Sequence, residues 1–257
     1  MNLKSFALIV ASVCMLSVNS FAQKKKAPKQ EEPQGYVFTT VVENPVTSIK
    51  NQSSTGTCWC FSALSFFESE IIKAGGPEVD LAEMFVVSHA YADKAEKYVR
   101  LHGVLNFGPG SSFGDALYVM NHYGMVPNSE MVGLNYGTEG HVHGEMDAVT
   151  EAYVKAVVKN PNRKLSTAWK KGFQGILDAY LGERPEKFVV DGKEYTPKTY
   201  MESLPINLDD YVDIVSWTHI PYYEETIQEV PDNWRKEKAY NVPLEDMMAI
   251  IDNALNN

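Results

Sequence analysis

The run Asn51-Gln52-Ser53-Ser54-Thr55-Gly56-Thr57-Cys58-Trp59-Cys60-Phe61-Ser62 decides how this 257-residue chain is read. Residues 45–56 show no apolar periodicity and end in Ser53-Ser54-Thr55-Gly56, which predicts a loop. From Trp59 to Lys73 the pattern changes. Phe61, Leu64, Phe67 and Ile71 recur at helical spacing until Gly75-Gly76 stops them. A loop therefore delivers Cys58 to the first position of an amphipathic helix. Unpaired N–H groups and the helix macrodipole at that position favour the thiolate, which is the nucleophilic form. Gln52, across a turn containing Gly56, can fold back toward the thiol. Its amide beside the Cys58 N–H would make a two-donor oxyanion hole suited to acyl transfer. A buried structural cysteine opening a helix is the bland alternative.

Cys60 has no such claim. Two cysteines separated by one residue are poorly placed to bridge each other, and a metal site on the pair would need further soft ligands nearby in sequence. Cys60 is expected to be a small core residue, and no metal or cofactor is expected.

The same reading extends outward. A second helix is predicted from Leu81 to about Leu101 with Asp80 as N-cap, then a glycine-rich loop over 103–110 and a third helix from Phe113 to Tyr123, ended by Gly124. Helical patterns return at Glu145–Val158 and Ser166–Leu181. Lys187–Tyr195 reads as a hairpin turning at Asp191-Gly192. Residues 205–234 mix short strand-like runs with prolines, and a last helix is predicted over Pro243–Leu255. Tyr36–Val42, rich in β-branched and aromatic residues, predicts a strand. The organisation is α+β, with helices early and strand-like material late.

Composition excludes several classes. With 44% hydrophobic and 11% aromatic residues the chain is neither collagen-like nor wholly disordered. Its 23 Lys+Arg against 33 Asp+Glu give a formal charge of −10, whereas a general nucleic-acid binder needs a basic face. Lys4, the apolar run Phe6–Val18 and the small residue closing Ser20-Phe21-Ala22 read as a secretory signal peptide cleaved after Ala22. That run is short for a membrane span, and no later run is long enough for one. The expected layout is a signal peptide over 1–22, a flexible Pro- and Gln-rich linker over 23–35, and one domain over 36–257. The expected location is outside the cytoplasm, periplasmic or secreted, with no membrane attachment after cleavage.

The Gln52, Gly56, Cys58-Trp59 and Phe61 pattern resembles the papain-like cysteine peptidases. The form Asn51-Gln52-Ser53-Ser54 followed by Gly56 and Cys58-Trp59 is more similar to the bleomycin hydrolase and aminopeptidase C branch, and it lacks the loop cysteine of ordinary papain-like enzymes. Gly108-Pro109-Gly110-Ser111-Ser112-Phe113-Gly114-Asp115-Ala116, with Tyr123-Gly124-Met125-Val126-Pro127 after it, resembles the cleft-lining segment of the same family. The resemblance implies that Cys58 and Gln52 are catalytic and that Gly108, Gly110 and Ser111 bind substrate backbone. Pro109 departs from the family's adjacent glycines. A plain helix-connecting loop is the alternative.

The resemblance also implies an imidazole base oriented by an Asn that precedes Ser-Trp-Gly. His89, His102 and His122 fall on predicted helices or at their ends. His141, His143 and Glu145 alternate in one loop, which is weak metal-site spacing. His219 followed by Asn233-Trp234 imitates the family pair, yet no Ser-Trp-Gly follows, and His219 lies farther from Cys58 than the roughly 130–150 residues typical of short papain-like enzymes. In the family the helical half carries the cysteine, and a β-rich half carries His and Asn. This chain reaches Asn257 just after a helix, so the expectation is a papain-like N-terminal portion: mainly the helical half, with the β-rich half missing or incomplete. The implied activity is that of a cysteine aminopeptidase acting on peptides. An inactive remnant or a non-catalytic peptide-binding protein is the alternative, and self-association into a homo-oligomer is left open.

Overall fold

The computed structural model describes residues 35–256, so the expected signal peptide and nearly all of the linker lie outside the described residues. The chain divides at Val41/Val42 into two units. In the first, Tyr36, Val37, Phe38 and Val41 are exposed and form no strand. β-Propensity describes how a side chain suits a half-buried pleated surface, and here no pleated surface forms.

The second unit is built around one helix. Helix α1 spans Cys58–Lys73, α2 Glu83–Arg100, α3 Phe113–Tyr123, α4 Gly144–Val158 and α5 Ala168–Leu181. α2 packs against each of the other four, and α1 also meets α3 while α4 meets α5. Its central position explains why Met84 to Tyr91 are buried without interruption, the all-round burial expected of a helix enclosed by others. α1 contributes Trp59, Cys60, Ala63, Leu64, Phe67 and Ile71 to the core. A cluster of rings made by Phe66, Phe67, Phe113 and Tyr211 joins α1 to α3 and to the later chain.

The strands are short. β1 (Phe188–Val190) and β2 (Lys193–Tyr195) form the expected hairpin, with Asp191 and Gly192 at φ of 50° and 79° as a two-residue primed turn requires. A one-turn helix, α6 (Pro197–Met201), follows. β3 (Ile214–Val215), β4 (Glu224–Ile227) and β5 (Lys238–Asn241) make a second sheet of order β3-β5-β4, with β5 parallel to β3 and antiparallel to β4. Buried Asn241 fixes the 217–221 turn, donating to the carbonyls of Trp217, Ile220 and Pro221 and accepting from the Trp217 N–H. Helix α7 spans Leu244–Asn256. The fold is α+β with sparse strand content among the described residues.

One correction concerns the start of α2. Its N-cap is Ala82, not Asp80. The Asp80 carboxylate is engaged by Lys50 at 2.7 Å and by the Asn128 amide at 3.0 Å. Leu81 meanwhile pairs with Pro127 in an isolated bridge, so the chain stays extended for two more residues.

Candidate active site

Cys58 is the first residue of α1 and is exposed, while Cys60 is fully buried. The two thiols therefore differ by environment alone. The Cys60 S–H donates to the Glu83 carbonyl at 3.5 Å, and burial pushes its thiol well above the ordinary range, which makes it inert. Thr57 caps α1 without a side-chain bond. Its carbonyl accepts from the N–H groups of Cys60 and Phe61, and the Cys58 N–H has no acceptor among the described residues.

The loop before Cys58 is tied together from both sides. The Gln52 amide donates to the Thr55 carbonyl at 2.7 Å, and the Thr55 hydroxyl donates back to the Gln52 carbonyl at 3.0 Å. Gln52 is thus folded into its own turn, with one amide N–H engaged there and the other without a partner among the described residues. Ser54 pairs with the 141–143 segment, its N–H reaching the His141 carbonyl and its carbonyl accepting from the His143 N–H. Upstream, Lys50 pairs with the buried carboxylates of Glu68 and Glu83 and with the exposed one of Asp80. Thr47 Oγ1 and the Leu81 N–H also donate to the Glu68 carboxylate.

The glycine-rich loop lies against this turn. A Cβ on Gly56 would come within 2.5 Å of the Pro109 ring, so only glycine permits the approach. The Trp59 indole N–H donates to the Pro109 carbonyl at 3.0 Å. Gly108, Gly110 and Ser111, the expected substrate-binding residues, are therefore brought next to the helix turn that bears Cys58. Gly108 faces open space, whereas a Cβ on Gly110 would strike the Asp232 carboxylate.

Sequence reasoning missed what stands behind that loop. Buried Lys94 donates to the carbonyls of Gly108 at 2.9 Å and Gly110 at 2.5 Å. Buried Asp115 accepts from the Ser112 N–H and the Trp234 indole and pairs with Arg235 at 2.8 Å. Trp234 also donates to Ser111 Oγ. A lysine in the charge-rich run Asp93–Lys97 carries no sequence sign of burial. Its position is set by the helices packed around α2.

No histidine among the described residues hydrogen-bonds the Cys58 sulfur. His89 stacks on Tyr123 at 3.9 Å, and burial lowers its pKa to about 2. His122 stacks on Tyr118, and His102 sits at positive φ just after α2. His141 meets the Tyr136 hydroxyl at 3.3 Å. His143 is fully buried, neither ring nitrogen has a hydrogen-bond partner among the described residues, and burial together with neighbouring His141 lowers its pKa to about 4. Glu145 accepts from the Tyr180 hydroxyl, and no group of three candidate metal ligands occurs among the described residues. His219 is exposed beside Trp217 and Glu229. The Asn233 side chain is fully used in its own turn, donating to the carbonyls of Gln228 and Glu237 and accepting from the Glu237 N–H. No side-chain hydrogen bond joins His219 to Asn233 among the described residues.

Residues 38–96 match the model of the papain family cysteine proteases. No curated protein matches the chain. Among solved structures, PepW from Lactobacillus rhamnosis HN001 is similar with a TM-score of 0.63 and 19% identity, over 85% of this chain and 58% of that one. The chain is papain-like in fold, matches the papain family cysteine protease model over residues 38–96, and spans 58% of the length of that relative.

Proposed function

We propose that the chain provides the nucleophile side of a cysteine peptidase that hydrolyses peptides by acyl transfer through Cys58. The observation that carries this reading is an exposed thiol at the first position of α1, next to a backbone loop bonded to Trp59. Cys58 Sγ attacks the scissile carbonyl, and its proton passes to an imidazole and then to the leaving amine. The Cys58 N–H and the free Gln52 amide N–H take the developing oxyanion. Water then displaces the acyl group and restores the thiol. Gly108, Gly110 and Ser111 hold the substrate backbone.

The aminopeptidase form of the activity rests on the pattern from Asn51 to Trp59. Two peptidyl chloromethyl ketones of identical sequence, one with a free α-amine and one acetylated, test it. Labelling is expected at Cys58, absent in Cys58→Ala, and at least tenfold faster for the free-amine reagent. Equal rates overturn the aminopeptidase form, and labelling that persists in Cys58→Ala overturns the whole reading. Residues 1–22 are proposed as an export signal. Expression of the full chain in a secreting host is expected to yield a product beginning at Gln23, and an intact mass that retains residues 1–22 refutes it.

A further inference from the structure

Three successive carbonyls in the cleft loop, those of Gly108, Pro109 and Gly110, are each held by a buried side-chain donor. Lys94 takes the first and third, and Trp59 takes the second. The peptide bonds of the described residues are all trans, so each N–H points opposite to the carbonyl of the preceding residue. Bonding of the Pro109 carbonyl to Trp59 therefore aims the Gly110 N–H away from Trp59. Bonding of the Gly110 carbonyl to Lys94 aims the Ser111 N–H away from Lys94. Neither N–H has an acceptor among the described residues, and neither residue is buried. The loop thus carries two adjacent unpaired donors, each turned away from the side chain that holds the carbonyl before it.

Lys94 is an expensive way to achieve this unless the orientation matters. It sits on the central helix, fully enclosed, with the rings of Tyr91 and Trp234 at 5.8 and 6.0 Å from its ammonium. Burial pushes it down to about 8 against the pull of Asp115, Asp232 and Asp147. None of these carboxylates hydrogen-bonds it. Its two hydrogen-bond acceptors are the loop carbonyls. A buried ammonium keeps its charge only where such acceptors replace water.

We propose that Lys94 is a positioning residue that fixes the Gly108 and Gly110 carbonyls, so that the unpaired N–H groups of Gly110 and Ser111 are held in place to bind carbonyl oxygens of a peptide substrate. This inference rests on the proposed reading of Cys58 and its neighbouring loop as a peptide cleft. Lys94 touches no substrate. It acts through the loop backbone, so its loss reduces peptide recognition and leaves the intrinsic reactivity of the thiol unchanged.

The test uses one electrophile with and without a peptide. Chloroacetamide reports the Cys58 thiol alone, and a chloroacetyl-capped dipeptide amide reports the thiol plus the cleft, with the site of alkylation read by peptide mapping. In the wild-type chain the peptide reagent is expected to react at least tenfold faster. In Lys94→Met that ratio is expected to fall at least tenfold while the chloroacetamide rate stays within about twofold. Lys94→Arg, which keeps donors and charge, is expected to recover part of the ratio. A wild-type ratio near one overturns the peptide cleft and the Lys94 role together. A high wild-type ratio that survives in Lys94→Met overturns the Lys94 role alone. Should neither variant fold, amide exchange in the wild-type chain decides. Exchange at Gly110 and Ser111 is expected to slow at least tenfold when a non-reactive peptide is added, and unchanged exchange overturns the proposal.

Discussion

Replacing Lys50 by Met should unseat the segment that leads into the Cys58 loop. Lys50 faces three carboxylates. It pairs with Glu68, with Asp80 at 2.7 Å and with Glu83 at 3.5 Å. Glu68 is fully buried and Glu83 nearly so, while Asp80 is exposed. Burial pulls the Lys50 ammonium down, but hydrogen bonds to Asp80 and Glu68 and the charge of Glu83 outweigh it and raise its pKa. Burial likewise raises the Glu83 carboxyl, with Lys50 opposing the rise. Lys50→Met preserves length and packing but leaves two buried carboxylates without a cation. Removing one partner of a buried ion pair costs about 3–5 kcal/mol. For a unit of this size that lowers the melting midpoint by roughly 6–20 °C.

The pH dependence separates this cause from lost packing. Glu83, already raised by burial, loses the opposing ammonium in the variant and titrates further above its unfolded value. A group with a raised folded pKa contributes stability that is fully present below the unfolded pKa and is lost as pH rises through the folded one. The deficit of the variant, measured by urea unfolding against wild type, should therefore be larger at pH 7.5 than at pH 5. A deficit below about 1 kcal/mol at pH 7.5, or one equal at both values, refutes the reasoning. Glu68→Gln combined with Lys50→Met should recover part of the loss, because Gln keeps an acceptor for the Leu81 N–H without a charge.

Two further outcomes follow from the same physics. His143, buried and lowered to about 4, binds its proton more readily when unfolded, so it stabilises the fold above about pH 6.5 and loses that contribution as pH falls toward 4. The loss is on the order of 3 kcal/mol at about 1.4 kcal/mol per pKa unit. Urea unfolding from pH 7 to pH 4.5 should show His143→Leu with a shallower fall than wild type, and parallel curves would remove His143 as the cause. Gly124→Ala meets two obstacles, a φ of 86° and the backbone of Pro197 where the new Cβ would lie, whereas Gly137→Ala meets only a φ of 82°. The second substitution should cost about 1–2 kcal/mol and the first clearly more, as read from chemical unfolding. Equal costs would show that the Pro197 segment moves aside freely.

Local structure was legible wherever a sequence signal and its partner were neighbours. Phe113–Tyr123 forms with the expected ends because Gly124 closes it at positive φ. The 188–195 hairpin forms because Asp191-Gly192 supplies both left-handed positions. The expected cap at Asp80 failed because Lys50 and Asn128, both distant in sequence, compete for its carboxylate. The strand expected over Tyr36–Val42 does not form among the described residues. The pairing of β3 with β5 in parallel joins segments that no short-range pattern connects. In the candidate site, Cys58 announced itself through its loop and helix. Lys94 did not, because Asp93-Lys94-Ala95-Glu96-Lys97 reads as a solvated face. Only the enclosure of α2 by four helices turns one of the charged members of that run inward, beside the buried Ala95.

The departure at Pro109 acquires a physical meaning from that enclosure. In sequence, a proline between Gly108 and Gly110 interrupts a pair of adjacent glycines and costs the loop a donor. In the fold, the carbonyl of Gly108 is held by Lys94, so the N–H of residue 109 would point away from Lys94. Proline removes that donor and fixes φ near −65°, which leaves the Gly110 and Ser111 groups as the adjacent pair and stiffens the turn between the two Lys94 bonds. Pro109→Ala should therefore restore a third donor while loosening the loop. If the loop's fixed orientation is what selects peptides, the peptide-to-chloroacetamide ratio falls in Pro109→Ala although a hydrogen-bond donor has been added. If the number of donors matters more, the ratio rises. The three bonds that anchor the loop favour the first result, because a donor strengthens binding only when the backbone that carries it is held in place.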